Sequence, residues 1–420
     1  MSALSLIAIL LCFASVFGVI NERALGLPPS IGLLIVTLLA SFCVIGLDAL
    51  FPGLALKIRA QEILGVGGLP DFLLNGALSF LLFAGALQVD LSALWSRKFT
   101  VSLLATVGVA IATVMFGLGV WLIFRLIGIN TPLLWCLVLG AVLAPTDPVA
   151  ISGIVGRLGL PKQMAAVLAG ESLFNDGVAI VMFKVMLVLA TSQQAPSSDA
   201  VVVEFAREIG LGLIIGGATG AIAYQMIRPL DQYGLEIMIS LALAAGTFNL
   251  ANALGASGPI AVAVSGLLIG GRATRYIMSE TTRRNLRLFW SVIDDILNAV
   301  LFLLLGFEVL GLTFNLDAVA CAILSIPLAI AVRGLSVIVP VFWLHYRNPN
   351  VWRGAAVLTW GGLRGGISVA LALSIPQSTW RNDILLICYT VVVFTIIVQG
   401  LTLNRVIRRL APSTPAQHGL

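Results

Sequence analysis

Ala144-Pro145-Thr146-Asp147-Pro148 interrupts an apolar run that extends from about 132 to 156. Two prolines in five residues remove backbone donors and make a regular helix untenable there. A second interruption, Gly361-Gly362-Leu363-Arg364-Gly365-Gly366, sets one arginine among four glycines inside the run 352–375. Between the two, in the run 165–190, lies Gly170-Glu171-Ser172-Leu173-Phe174-Asn175-Asp176-Gly177, a polar stretch within an otherwise apolar helix. Ionisable groups at membrane depth are costly and by default mark an ion path, a proton relay or a binding site.

The surroundings require a bilayer. The 420 residues are 59% hydrophobic and 10% charged, against roughly a quarter charged in soluble domains, so the fold class is an all-α integral membrane protein. Runs long enough to cross at 1.5 Å per residue number thirteen, near 2–20, 30–49, 72–90, 99–125, 132–156, 165–190, 207–228, 234–254, 256–271, 285–309, 318–344, 352–375 and 383–404. They form one membrane domain over 1–410, followed by a short cytoplasmic tail, 411–420. Met1–Ile20 lacks the positive n-region of a cleaved signal and is expected to be a retained span.

With the N-terminus outside, sixteen Lys and Arg, among them Arg97, Lys98, Arg157, Arg272, Arg275 and Arg347, fall on the cytoplasmic side and five on the outer side. The positive-inside rule therefore gives an N-out, C-in protein of the cell (inner) membrane. The pI near 9.1 reflects this placement and implies no nucleic-acid partner, since the basic residues form no soluble face. The five cysteines stand singly in apolar runs without a C-x-x-C, which excludes a disulfide framework and a thiolate metal site and suggests buried small hydrophobes.

The two interruptions are seven spans apart, an odd offset, so their segments enter the membrane from opposite sides. Paired broken helices in inverted halves are the best sequence pointer to a transporter's binding site. Spans 1–6 and 8–13 are then two inverted repeats joined by the seventh.

On a helix, residues four apart share a face. Glu171 stacks over Asn175 and Ser172 over Asp176, and Asp147 is expected to approach the Ser172/Asp176 stripe. The resulting site holds two carboxylates and the Ser172 and Thr146 hydroxyls, an all-oxygen set suited to hard cations. No imidazole competes, because His345 and His418 lie at the cytoplasmic edge and in the tail. Arg364 needs an anion, and Glu171 is the expected partner because that choice leaves Asp147 and Asp176 for the ion. Burial and a nearby like charge both penalise an ionised carboxylate, so the aspartate pair is expected to take a proton where no cation is bound. Competition between the two would couple their fluxes, and no cofactor is called for.

At these residues the chain resembles the cation/proton antiporter-1 family, the sodium/proton exchangers that include the prokaryotic NhaP type. The matching blocks are Ala144 to Ala150, Gly170 to Gly177 and Trp360 to Gly366, with a weaker fourth at Phe289-Trp290, Asn298, Leu301-Phe302 and Gly306-Phe307-Glu308. The resemblance implies a thirteen-span homodimer. It implies a mobile core (spans about 99–190 and 318–404) and a dimerisation scaffold (about 2–90 and 207–309) working by elevator-like alternating access. It also implies that Asp176, Asp147, Ser172 and Thr146 bind the ion while Asn175, Glu171 and Arg364 stabilise the core. Asn before the key Asp, as here, implies electroneutral exchange of one cation for one proton.

The residues alone leave sodium, lithium and potassium open as substrates. They disfavour an intramembrane aspartyl protease, for which Arg364 and the paired breaks have no use, so no enzyme is expected; a passive channel or ion sensor remains a competitor. Blander readings apply elsewhere. Asn175 reads more as a backbone partner than as an ion contact. Asp294 and Asp295 lie at the depth of Arg333 and suggest a structural ion pair, with a gating role as the alternative. Glu308 is expected to be hydrated near its span's outer end, and Lys184 to snorkel or meet a local partner. The arginines from 272 to 287 read as the positive-inside signal, with anionic lipid as the other membrane partner to consider. Gly212, Gly216 and Gly220 permit close helix packing, with a dimer face as one option.

Overall fold

Lipid offers no partner to a free backbone N–H or C=O, so an apolar run crosses it as a helix. The computed structural model describes residues 3–64, 76–147, 162–192, 198–271, 278–345 and 349–410, and every one of the thirteen runs contains helix there. In order these are Ala3–Ile20, Pro29–Leu50, Leu78–Gln88, Lys98–Ile127, Leu133–Val142, Lys162–Thr191, Ser198–Ile227, Tyr233–Ala253, Gly258–Gly270, Glu280–Phe307, Leu316–His345, the pair Pro349–Trp360 and Gly366–Leu373, and Arg381–Arg409. No strand occurs among the described residues. Nine of their helices are long and apolar enough to cross a membrane, and Leu78–Gln88, Leu133–Val142 and Gly258–Gly270 are shorter apolar helices. The protein is a multi-pass, all-helical membrane protein. Pro148, Val149, Ala150, Arg157, Arg272, Arg275, Arg347, His418 and the tail 411–420 lie outside the described residues.

Both interruptions fall where the sequence puts them. Leu133–Val142 ends at Leu143, and residues 144–147 follow without regular structure. Pro349–Trp360 ends in a turn, and Gly366 starts the next helix after an extended Gly365. Irregular backbone survives at membrane depth only where protein buries it or it lines a cavity, and Ala144, Thr146, Leu363 and Arg364 are all buried.

The helices pack in two neighbourhoods. Lys98–Ile127, Leu133–Val142, Lys162–Thr191, Leu316–His345 and the helices after residue 349 contact one another; Pro29–Leu50, Leu78–Gln88, Ser198–Ile227, Tyr233–Ala253, Gly258–Gly270 and Glu280–Phe307 form the second group. In the second group Trp290 is fully buried, packs against Phe80 and Phe83, and donates its Nε1–H to Ser240 Oγ at 2.9 Å. The Lys162–Thr191 helix touches both groups.

Two expectations change, and one is narrowed to close packing within the chain. The glycine stripe is an internal contact: a Cβ on Gly216 would run into the Ala261 carbonyl, so these glycines let Ser198–Ile227 close on Gly258–Gly270. Glu308 is buried, at 4% exposure, because it sits where Glu280–Phe307 tightens into a final turn against the protein. Cys136, Cys321 and Cys388 are buried, but Cys12 and Cys43 lie on exposed helix faces.

Candidate ion-binding site

The Lys162–Thr191 helix carries four polar side chains on adjoining faces, all nearly inaccessible: Glu171 1%, Ser172 2%, Asn175 0% and Asp176 2% exposed. A buried polar group is expensive unless it is hydrogen-bonded, and most of this set is tied. Asn175 donates through Nδ2 to Glu171 Oε1 at 2.9 Å, one helical turn away, and to Thr146 Oγ1 at 2.7 Å. Its Oδ1 accepts from the Thr146 backbone N–H at 3.4 Å. The Thr146 and Ser172 hydroxyls lie 3.2 Å apart. Asn175 therefore fastens the polar helix to the first break.

The second break crosses the first through its backbone. Asp147 N–H donates to the Leu363 carbonyl at 2.8 Å, and Arg364 N–H to Thr395 Oγ1 at 3.1 Å. Arg364 sends Nη1 to the Ala144 and Pro145 carbonyls at 2.7 and 3.0 Å. These carbonyls follow the C-terminal end of Leu133–Val142, where a helix presents partial negative charge. Gly365 lets the chains meet, because a Cβ there would overlap the Asp147 side chain.

The Glu171–Arg364 pairing does not form. Glu171 is held instead by Arg333 of the Leu316–His345 helix, whose Nη1 and Nη2 reach Oε1 and Oε2 at 2.9 Å each. The parallel fork is the stronger geometry for arginine and carboxylate. Arg333 also donates to the Leu358 carbonyl at 3.3 Å, and Gly362 leaves room for its guanidinium. Arg364 has carbonyls for partners, so Glu171 is free to take the other cation. The expected pairing of Asp294 or Asp295 with Arg333 fails for the same reason.

Asp147 and Asp176 share a cavity of about 500 Å³ with Thr146, Asp294 and Asn298, walled by leucines such as Leu78, Leu82 and Leu173. Asp176 Oδ1 has no hydrogen-bond partner, although the residue is 2% exposed. Asp147 is half-buried. The carboxylates of Asp90, Asp147, Asp176 and Asp294 and the Thr146 hydroxyl line one cavity, beside a crossing of two irregular segments.

A family model described as "Sodium/hydrogen exchanger, transmembrane" matches residues 8–409. The chain belongs to the sodium/hydrogen exchanger family. Among its relatives in that family, the Na(+)/H(+) antiporter NhaP of Pseudomonas aeruginosa is 40% identical over 420 residues, 99% of this chain and 98% of that one. The Na(+)/H(+) antiporter NhaH of Halobacillus dabanensis is 34% identical, covering 79% of this chain and 81% of its own. In three dimensions this exchanger-family chain is similar to the sodium proton antiporter MjNhaP1 from Methanocaldococcus jannaschii at pH 8, with a TM-score of 0.73 over 96% of this chain and 97% of that one. At 21% identity that likeness speaks for the fold.

The sequence places neither Arg333 nor Thr395 at this exchanger-family site. Arg333 was visible as a lone cation between Pro327 and Pro340, but depth along the chain does not reveal which way a helix face turns. Thr395 looks like any threonine in an apolar run; it lies in a π-turn over Thr395–Gln399, a local widening frequent at functional sites. Lys184 meets a local partner, with its Nζ 3.6 Å from Glu208 Oε2.

Proposed function

We propose that the chain exchanges sodium for protons across the cell membrane by alternating access, with Asp176 and Asp147 taking cation and proton in turn and Ser172 and Thr146 supplying hydroxyl oxygens. The observation that carries this reading is the cavity lined by both Asp147 and Asp176, the latter with an unpartnered Oδ1, at the crossing of two broken helices. Broken helices near the midplane are where transporters bind their ions. Oxygen donors of this kind suit a hard cation, lithium as well as sodium, and the names of the relatives favour sodium over potassium.

Charge bookkeeping is compatible with one-for-one exchange, whereas two protons on the aspartate pair would make the swap electrogenic. Glu171 and Arg333 cancel, and Arg364 is fixed on carbonyls. One bound sodium or one bound proton then changes the aspartate pair by the same amount, so the swap is electroneutral.

Under the N-out orientation the cavity, with Gln88, Val89 and Asp90 along it, opens toward the cytoplasmic ends of its helices and corresponds to an inward-facing state. The group containing both breaks acts as the moving core, and the group around Trp290 as the scaffold of a homodimer embedded in lipid. Dequenching of a pH-sensitive dye in everted vesicles, with sodium, lithium and potassium added in turn, tests the exchange. Proton movement under sodium is expected; none under any cation at any pH would overturn it.

A further inference from the structure

The cavity holds a carboxylate that the exchange scheme leaves idle. Asp294 projects from the Glu280–Phe307 helix, which packs on Pro29–Leu50 and Leu78–Gln88 in the second helix group, into the space that Asp147 and Asp176 face. Asp90 also lines this space but is committed to capping Leu91–Ser96, accepting from Ser92 N–H at 2.9 Å and Ser92 Oγ at 2.6 Å. Asp294 is held at one oxygen only, by Asn298 Nδ2 at 3.0 Å, and no salt bridge to it occurs among the described residues. Its neighbour Asp295 is exposed and does not line the cavity. Asp176 lines the same cavity, is 2% exposed and has an Oδ1 without a hydrogen-bond partner.

A cation moving from water into a leucine-walled space loses hydration before it reaches the aspartate pair. Low-dielectric walls also focus the field of any carboxylate between them. We infer that Asp294 is a third cation-handling carboxylate, which receives the incoming monovalent cation on the opposite wall and hands it to Asp147 and Asp176, so that it sets apparent affinity. The inference rests on the exchange reading above. It gives the two helix groups separate tasks: the pair on the core carries the ion across, while Asp294 stays with the scaffold and loads it.

The test uses the purified full chain in proteoliposomes, with sodium-driven proton flux followed against sodium concentration. Asp294→Asn is expected to raise the apparent KM for sodium roughly three- to tenfold, the effect of removing one charge from a partly hydrated site, and to lower the maximal rate by less than about twofold. Asp294→Glu restores the KM, Asp295→Asn leaves it unchanged, and added choline chloride narrows the gap between wild type and Asp294→Asn by screening. If Asp294→Asn does not insert, Asp294→Ser reads the same parameter. A wild-type KM in the neutral variant, or a fall in maximal rate alone, overturns the assignment while exchange by the wild type stands. Absence of sodium-driven flux in the wild type sinks the exchange reading itself.

Discussion

Arg333 and Glu171, 162 residues apart, join through two hydrogen bonds of 2.9 Å with both side chains at or below 9% exposure. Removing one member of a buried pair leaves an uncompensated charge, at about 3–5 kcal/mol. Arg333→Ala is therefore expected to lower the thermal midpoint of the detergent-solubilised protein far more than Arg364→Ala. Equal midpoints would show that the fork contributes little. Arg333→Lys, which keeps charge but lacks the planar fork, should fall between wild type and Arg333→Ala.

Asp176→Asn should abolish cation-driven proton movement in everted vesicles while the protein still inserts and runs as a monodisperse peak. Undiminished exchange in that variant would mean that another carboxylate carries the ion.

Arg364 is held by backbone carbonyls, so its loss leaves the carbonyls of Ala144 and Pro145 without their donor. Arg364→Ala is expected to reduce maximal transport rate with modest change in the sodium KM, since the crossing loosens while the aspartates remain. A variant with wild-type rate would refute the capping role. Rate against sodium concentration separates these outcomes.

Asn175→Asp removes the Nδ2 donor that serves both Glu171 and Thr146 and sets a second acceptor beside Glu171. Each unsatisfied buried group costs about 1–3 kcal/mol, so a clear drop in thermal midpoint is expected. Asn175→Ala, which adds no charge, should drop it less. The reverse order would show that like-charge repulsion is not felt there.

Gly365→Ala would drive a Cβ into the Asp147 carboxylate. Loss of exchange with retained insertion is expected; full activity in flux assays would show that the crossing tolerates the methyl.

The two breaks and the polar face between them were legible in the sequence because proline and glycine act locally and helical spacing fixes which residues stack. Asn175 over Glu171 follows from a spacing of four. The partner of Arg333 was not legible, because it depends on how Leu316–His345 is rotated against Lys162–Thr191. Depth along the spans suggests Asp294 or Asp295 for Arg333, and sparing Asp147 and Asp176 for the ion suggests Glu171 for Arg364; neither ground reveals how the helices are rotated. The burial of Glu308 was missed for a related cause: nearness to a span's end says little when other helices cover that end.

The hydrogen bonds across the breaks also constrain how the chain is made. Arg364 and the Ala144 carbonyl it serves are 220 residues apart, so the first break is synthesised long before its donors exist. During translation those carbonyls and the Asp147 amide must be sheltered by water or the insertion machinery. A chain halted before residue 360 would leave the Ala144 and Pro145 carbonyls and the Asp147 amide without these partners at membrane depth.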